Sequence, residues 1–530
     1  MHLFPATLTE RKERTMPLRN LDVPGILHDC EEDPRMQYER YPSVVPEKSQ
    51  GKDVFVVSDL HIAAGTGKDG TYGGTENFFA DGSFMRFLRN AHEEVKRKKA
   101  ILIINGDFVD FLRIVRLPET DAEFASWQRV LNGVGISMTA EELRRSISEK
   151  EREYGLKTND YKSVWKLAAA VDGHPPLFDG LAEWLAKGHK IILLKGNHDL
   201  EWYWPPVRNA LRLILAERIS GESSGTNLRK ILTDTVLPNI RFIDHALLVD
   251  EAIYVEHGHL HDRFCHVVGE PTLGKRNHQE LNLPFGSFFN RYLTNKIELD
   301  FPYLDNIRPQ TNLLPLLFRE RFFLGLKVLF VHLPFLLLII PKGYYEYMLK
   351  RALFFALAIG IPILLTLVEL WNIASGVFSH FAGAPQSPFL GFLKDQGINA
   401  LLGLLGAAVS YGFTRLTVWL QLEEPGSLDA FAREKFDEMP AYRIITYGHT
   451  HNPDQFKETR GTRVGAHWFY NTGTWIPVIE TSNAEVREDR SYCFLHLRNE
   501  RGSLQPGVLR RWNDDAGRSE PLVMVRQKEQ

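Results

Sequence analysis

Five short apolar runs, each followed at once by Asp, Asn or His residues, constrain this sequence more than any other feature. The runs are VFVV (54–57), ILII (101–104), IILL (191–194), AIYV (252–255) and RIIT (443–446), and the residues after them read SDLH, NGDFVD, KGNHD, EHGHLHD and YGHTH. Runs of this length are typical of strands buried on both faces of a sheet. Because ligands gather beyond the carboxyl ends of strands in α/β sheets, the pattern predicts an α/β fold whose polar loops converge.

The residue types in these loops are those that bind hard and borderline divalent metal ions. Carboxylate and amide oxygens and imidazole nitrogens suit Mn, Fe or Zn better than they suit soft, thiolate-bound metals. Two such ions about 3.5–4 Å apart can hold a hydroxide between them and stabilise both sides of a phosphoryl displacement. Each motif alone also fits a hydrogen-bonded strand end or a turn, but five in succession favour a two-metal site.

Taken together, DLH (59–61), GDFVD (106–110), GNHD (196–199), HGH (257–259) and GHTH (448–451) resemble the signature of the calcineurin-like metallophosphoesterases. The resemblance spans residues 54–475 and is interrupted by insertions. It implies a two-sheet α/β sandwich with helices on the outer faces. It also implies hydrolysis of a phosphate mono- or diester by attack of a metal-bridging hydroxide.

The same resemblance implies roles for individual residues. The first metal ion would be held by Asp59, His61, Asp107 and His451, and the second by Asp107 as a bridge with Asn197, His257 and His449. His198 would face the phosphate, where it stabilises developing charge or protonates the leaving oxygen. Asp199 would orient that imidazole from behind.

Several neighbouring residues keep two interpretations. Asp110 is either a carboxylate that supports the ligands or a polar strand end, and NTGTW (471–475) either lines the site or forms a plain hairpin segment. Three residues either contact substrate or metal-bound water or lie exposed: His259, His261 and Asp262. Arg263 either pairs with a phosphate or forms a surface salt bridge, and the second interpretation is favoured.

The remaining sequence predicts how the chain is divided. Apolar stripes at 84–99 and 177–189 predict helices between the runs, and the charge-rich segment 111–176 predicts a helical insertion or cap. We predict an N-terminal extension at 1–50, a metallophosphoesterase domain formed by 51–320 and 423–530, and a hydrophobic helical insertion at 321–422.

Three apolar stretches within that insertion have about the length of membrane spans: 322–340, 352–370 and 398–420. Since the expected metal ligands lie on both sides of the insertion, the number of crossings must be even. We therefore predict a transmembrane hairpin of the second and third stretches, with the first lying in the membrane interface or re-entering the membrane. Buried helices of a soluble domain are the alternative.

Charge and cysteine usage bear on location and partners. Lys and Arg residues are concentrated on the site's side of the hairpin, which predicts a catalytic domain that faces the cytoplasm. The three scattered cysteines, and an N-terminus without an apolar leader, agree with a reducing compartment. The net charge of −3 does not indicate a nucleic-acid partner.

The leading hypothesis is a membrane-attached phosphoesterase, and the expected position beside a bilayer favours a lipid-linked substrate. The second hypothesis is a soluble substrate, such as a nucleotide or a phosphoprotein, with the hairpin serving only as a tether. The third is a non-catalytic membrane scaffold with the same fold. The sequence assigns no oligomeric state.

Overall fold

The computed structural model describes residues 22–32, 44–67, 69–221, 225–262, 264–267, 269–273, 280–302, 306–308, 313–332, 427–459, 465–480, 487 and 490–523. The chain divides into two compact units. One unit comprises residues 1–308 and 427–530, and the other comprises residues 309–426. The residue range of the second unit includes the predicted insertion at 321–422.

The described strands all belong to the first unit. They are β1 (Val44–Glu47), β2 (Asp53–Val57), β3 (Ala100–Asn105), β4 (Lys190–Leu194), β5 (Ile240–Ile243), β6 (Ala246–Val249), β7 (Ile253–Glu256), β8 (Thr272–Leu273), β9 (Glu280–Leu281), β10 (Ile307–Arg308), β11 (Ile444–Tyr447), β12 (Asp454–Glu458), β13 (His467–Asn471), β14 (Ile479–Glu480), β15 (Cys493–Glu500), β16 (Ser503–Gln505), β17 (Leu509–Asn513) and β18 (Arg518–Pro521).

Two large sheets contain most of these strands. The larger has the order β18-β17-β15-β2-β3-β4-β5, with β16 paired to β15, and the smaller has the order β1-β6-β7-β11-β13-β12. Strands β2 to β5 run parallel in the larger sheet, and β7, β11 and β13 run parallel in the smaller. The loops with metal-type ligands therefore follow parallel strands of two different sheets.

The two sheets pack face to face, and helices cover their outer faces. Val56 of β2 packs with Val255 of β7 in the core between the sheets. Its neighbour Phe55 points the other way, because successive side chains alternate along a strand, and its ring contacts Phe87 and Trp184 on two helices. The outer face of the smaller sheet packs against the helix Asp429–Glu438. The fold of this unit is mixed α/β.

The described helices lie mostly between the strands. The α-helices are Val23–Glu32, Asp81–Glu94, Asp121–Gly133, Ala140–Arg145, Glu149–Tyr154, Asp160–Gly173, Pro175–Ala186, Pro205–Ser220, Gly225–Ile231, Leu237–Asn239, Phe285–Phe289, Asn295–Asp300, Leu313–Glu320, Phe322–Lys327 and Asp429–Glu438. Short 3-10 turns are Leu200–Tyr203 and His259–His261, and π-helical turns are Leu232–Val236, Asn290–Thr294 and Val328–His332.

Three successive helices of the segment 111–176 begin with the same local signal. Thr120, Thr139 and Ser148 each accept a hydrogen bond from the backbone N–H three residues later, and the Glu at that later position accepts one in return. This reciprocal capping satisfies two backbone donors at each helix start. The prediction that the segment is helical is confirmed.

The five predicted strands are confirmed to within one residue at each end, but the apolar runs did not predict the other described strands, of which β1 is one example. Strand β1 lies inside the predicted N-terminal extension and pairs in parallel with β6 at the edge of the smaller sheet. It contains Pro46, which lacks a backbone donor and is tolerated at a sheet edge. Because β1 is short and contains a proline, its residues do not form an apolar run that predicts a strand.

The prediction of an inserted transmembrane hairpin is wrong for the part of the chain that the structure describes. No helix in the described ranges combines the length and the apolar character needed to cross a bilayer. In the first apolar stretch, the six-residue helix Phe322–Lys327 is followed by a five-residue π-helical turn, Val328–His332. The stretches 333–340, 352–370 and 398–420 lie outside the described residues.

His496 on β15 joins the larger sheet to a helix through two carboxylates. Its Nε2 lies 2.9 Å from Asp53 Oδ2, and its Nδ1 lies 3.3 Å from Glu94 Oε2. Burial alone would lower the pKa of His496, but the hydrogen bonds to Asp53 and Glu94 raise it above the ordinary value of 6.5. The stability that the protonated ring provides is therefore complete below about pH 6.5 and is lost as the pH rises through the raised pKa.

We expect the substitution His496→Gln to remove this pH dependence. Hydrogen bonds to charged partners contribute about 1.5–3 kcal/mol, so the variant should be less stable than wild type by roughly that amount near pH 6. Urea unfolding across a pH series measures the difference, which should shrink as the pH rises. A difference that stays constant from about pH 6 to about pH 9 would contradict the assignment.

Candidate metal centre

All seven predicted metal ligands follow the carboxyl end of a strand. Asp59 and His61 follow β2, Asp107 follows β3, Asn197 follows β4, His257 follows β7, and His449 and His451 follow β11. Their side chains are buried or nearly so. Because these strands belong to two sheets, the ligand loops meet only when the sheets pack together.

Asp59, His61 and His451 form the first group of potential ligands. One ligand atom of each lies within 4.8 Å of the others. The Nε2 atoms of His61 and His451 are 2.9 Å apart, and Nε2 of His451 lies 3.4 Å from Asp59 Oδ1. This oxygen is buried and has no hydrogen-bond partner among the described residues. A cation between these atoms would satisfy a carboxylate that burial otherwise makes costly.

Asp107, His257 and His449 form a second group by the same distance criterion. Asp107 Oδ2 lies 3.1 Å from Nε2 of His257 and 3.6 Å from Nε2 of His61, so this carboxylate faces both groups. The amide oxygen of Asn197 is also buried without a hydrogen-bond partner in the described part of the chain. The described residues therefore contain His/Asp clusters that could hold a metal ion, with Asp107 between them.

Hydrogen bonds on the far side of two rings orient the nitrogens that face the carboxylates. Nδ1 of His257 lies 2.7 Å from the Asn105 carbonyl oxygen, and Nδ1 of His61 lies 3.1 Å from Asp110 Oδ2. With Nδ1 as the donor in both rings, each Nε2 keeps its lone pair for a metal ion. This arrangement is common behind metal-binding histidines.

Five of the seven predicted ligands have a left-handed backbone conformation. The φ angles are +54° for Asp59, +48° for His61, +50° for Asp107, +67° for His449 and +56° for His451. Residues other than glycine rarely adopt this region, and each instance costs of order 1–3 kcal/mol. Backbone strain is concentrated at the ligands themselves, which is typical of functional sites.

Two glycines allow backbone segments to approach the carboxylates closely. A Cβ atom at Gly196 would overlap Asp107 Oδ1, and one at Gly448 would lie 2.7 Å from Asp59 Oδ2. The backbone N–H of His449 donates to the same Asp59 oxygen at 3.1 Å. The glycines of GNHD and GHTH are thus required by contact distance as well as by turn formation.

Opposite charges set the protonation of the central groups. Burial alone would raise the pKa of Asp59 and of Asp107, but the facing imidazole of His257 lowers both. Burial alone would lower the pKa of His257, but the charges of Asp107 and Asp59 raise it to about 9. The carboxylates therefore stay ionised, the form that binds a cation.

His198 lies beside both groups. One ligand atom each of His198, His61 and Asp107 lie within 4.8 Å of one another. Nδ1 of His198 lies 2.8 Å from Asp110 Oδ2, and 14 % of its side chain is exposed, compared with 0 % for His257. The ring is therefore fixed at one nitrogen and accessible from the outside.

The predicted contact between Asp199 and His198 is wrong. The Asp199 carboxylate instead accepts hydrogen bonds from the backbone N–H of Gly196 at 2.6 Å and of Phe108 at 2.9 Å. It thereby ties the GNHD turn to the GDFVD loop. Asp110, for which the sequence left two roles open, makes the contact with His198. A residue next in the chain to a histidine can point away from it, because neighbouring side chains in a turn diverge.

Asp110 is itself held by a buried ion pair that the sequence did not predict. Arg113 Nε lies 3.2 Å from Asp110 Oδ2, and Arg113 Nη1 contacts the carboxylate of Glu298. All three residues are fully buried. Glu298 lies on the helix Asn295–Asp300 and reaches the site only through the fold.

The NTGTW segment donates hydrogen bonds to the DLH and GHTH loops. Thr474 Oγ1 donates to the Asp59 carbonyl oxygen at 2.7 Å. The Asn471 amide donates to the Gly448 carbonyl oxygen at 3.0 Å. The segment is therefore the end of β13 and also a support for the DLH and GHTH loops.

The loop after β7 places three further polar residues near the site. His259 is buried, and His261 and Asp262 are half-buried, so the interpretation that they lie exposed is wrong. Asp262 Oδ2 lies 3.4 Å from Nε2 of His449. Arg263 lies outside the described residues.

No protein-family model and no curated protein matches the sequence. The buried oxygens without hydrogen-bond partners and the imidazole nitrogens directed at them fit a metal ion, and this fit rests on the geometry alone.

Proposed function

We propose that the protein is a binuclear-metal-dependent phosphoesterase of the calcineurin-like type, which hydrolyses a phosphate mono- or diester. The observation that carries the proposal is the position of Asp107 between two buried groups of His and Asp side chains, with the accessible His198 beside them. A purely structural cluster of this kind would not need a partly exposed imidazole at its edge.

The proposed ligand sets combine the two groups with the ligand roles that the resemblance implies for Asn197 and for Asp107 as a bridge. The first ion would be held by Asp59, His61, Asp107 and His451, and the second by Asp107, Asn197, His257 and His449. Oxygen and nitrogen donors of this kind suit Mn, Fe or Zn. When bound, two such ions supply a nucleophilic water at neutral pH and neutralise charge on a phosphoryl group.

His198 would act on the phosphoryl group directly. Since Nδ1 is engaged by Asp110 at 2.8 Å, the other nitrogen is the one available to bind a phosphoryl oxygen or to protonate the leaving oxygen. Asp110 would be a positioning residue, and Arg113 and Glu298 would hold its carboxylate in place. Asp199 would fix the turn that presents His198.

Activity on simple aryl esters tests the proposal. Protein loaded with Mn²⁺ should hydrolyse p-nitrophenyl phosphate or bis(p-nitrophenyl) phosphate, chelation should abolish turnover, and added Mn²⁺ should restore it. Elemental analysis should find two ions per chain. Protein that holds two ions but turns over neither ester would contradict the proposal and favour the non-catalytic scaffold.

We expect His198→Ala to separate catalysis from metal binding. Loss of a general acid lowers kcat by about 10²–10⁴-fold, whereas the metal content should stay unchanged because His198 is outside the proposed ligand sets. Asn452→Ala, which alters an exposed side chain next to His451, is the control and should keep both quantities. A metal content that falls together with kcat would show that His198 is a ligand.

The proposal does not include membrane attachment or a lipid-linked substrate. Both depended on the transmembrane hairpin, which the described helices contradict. A hydrolysis screen with nucleotides, phosphopeptides and phospholipids would identify the leaving group.

A further inference from the structure

A third group of potential ligands lies next to His449 and contains sulfur. Asp262, Cys265 and His449 each place one ligand atom within 4.8 Å of the others. Cys265 Sγ lies 3.3 Å from Asp262 Oδ2, and Nε2 of His449 lies 3.4 Å from the same oxygen. None of the seven ligands of the proposed dinuclear centre is a cysteine, so this group differs from it in chemistry.

A short turn builds this arrangement. The backbone N–H of Cys265 donates to the Asp262 carbonyl oxygen at 3.0 Å, and that of Phe264 donates to Asp262 Oδ1 at 2.8 Å. The turn directs the thiol back onto the carboxylate three residues earlier. Gly286, on the helix Phe285–Phe289, packs against the same turn, where an added Cβ would lie 3.4 Å from Cys265 Sγ.

The two separations match the edges of a tetrahedral zinc site. With Zn–S of about 2.3 Å and Zn–O or Zn–N of about 2.0 Å, neighbouring ligand atoms lie about 3.3–3.5 Å apart. A charge-assisted N–H···O hydrogen bond is shorter, at about 2.7–2.9 Å. The distance of 3.4 Å between His449 Nε2 and Asp262 Oδ2 is longer than such a hydrogen bond. It fits better with two ligand atoms that bind the same cation.

We propose that Asp262, Cys265 and His449 form a further metal position, which takes Zn²⁺ or a similarly thiophilic divalent ion rather than Mn²⁺. The thiolate sets this preference, and the Cys265 thiol releases its proton to solvent when the ion binds. The fourth tetrahedral position is open to water. Because His449 also belongs to the second group, occupancy of the two positions is coupled through one imidazole. The proposal does not require phosphoesterase activity.

Cobalt(II) substitution tests the sulfur ligand directly. A cobalt–thiolate bond gives a charge-transfer absorption in the near ultraviolet, whereas cobalt bound by nitrogen and oxygen alone gives only weak visible bands. We expect the near-ultraviolet band in the wild-type protein and its complete loss in Cys265→Ser. Cys493→Ala, which changes a buried cysteine on β15, is the matched control and should keep the band. Asp262→Asn should weaken it.

A second measurement does not depend on the folding of a variant. Zn²⁺ should protect Cys265 of the wild-type protein from alkylation by iodoacetamide, as measured by peptide mass spectrometry. Wild-type protein with visible cobalt bands but no near-ultraviolet band, or a band that survives in Cys265→Ser, would overturn this proposal and leave the dinuclear centre intact. A near-ultraviolet band in protein that hydrolyses no ester would support it and contradict only the proposed function.

Discussion

Asp107→Asn is expected to abolish hydrolysis and to remove at least one of the two metal ions. Asp107 Oδ2 lies 3.1 Å from Nε2 of His257 and 3.6 Å from Nε2 of His61, so the carboxylate serves both groups. Asparagine has nearly the same shape but carries no charge and offers one oxygen. We expect ester hydrolysis to fall by on the order of 10³-fold or more.

Two measurements separate this effect from misfolding. Elemental analysis should find at most one ion per chain in the variant. In the wild-type protein, Mn²⁺ should raise the thermal midpoint, because a ligand that binds only the folded state stabilises it, and the variant should show a smaller shift or none. Asp515→Asn, at an exposed aspartate, is the control and should behave as wild type. A variant that keeps two ions would refute the bridging position of Asp107.

The five strands and the His and Asp residues that follow them could be predicted because both depend on local sequence. Each buried run is short and apolar, and each is followed at once by Asp, Asn or His. The convergence of these loops required only that parallel strands place their carboxyl ends together. The runs before Asp59 and Asp107 lie in one sheet and the run before His449 in the other. The resemblance implied two sheets, but the apolar pattern alone does not assign a run to either sheet.

The supporting contacts could not be predicted in the same way. Arg113 and Glu298 are separated by 185 positions, and a single Glu within NKIELD carries no pattern. The resemblance assigned Asp199 to His198, but its carboxylate satisfies backbone N–H groups instead. Asp110, three residues after Asp107 in GDFVD, was visible as a candidate without an assigned partner.

The membrane prediction was wrong because apolar composition indicates burial without specifying what covers the residues. In the described part of the first stretch, the α-helix Phe322–Lys327 passes into a π-helical turn at Val328–His332. Composition gives no sign of that change in helical geometry.

Arg113→Met is expected to destabilise the protein by about 3–5 kcal/mol, because it removes the arginine that two buried carboxylates share. Arg113 is fully buried, and it contacts both Asp110 and Glu298. Denaturant unfolding of the metal-free protein measures the loss. The exposed pair of Arg145 and Glu141 provides the matched control, since Arg145→Met removes an ion pair that solvent screens and should cause no measurable change.

A double-mutant cycle distinguishes the ion pair from simple loss of packing. Glu298→Met in the Arg113→Met background removes a buried carboxylate that has lost its arginine, so the double variant should be more stable than Arg113→Met alone. Its kcat should nevertheless stay low, because Asp110 still lacks the arginine that orients it against His198, while the metal content stays at two ions. A double variant less stable than Arg113→Met would show that packing rather than charge pairing dominates there. Wild-type kcat in Arg113→Met would show that the arginine does not position His198 through Asp110.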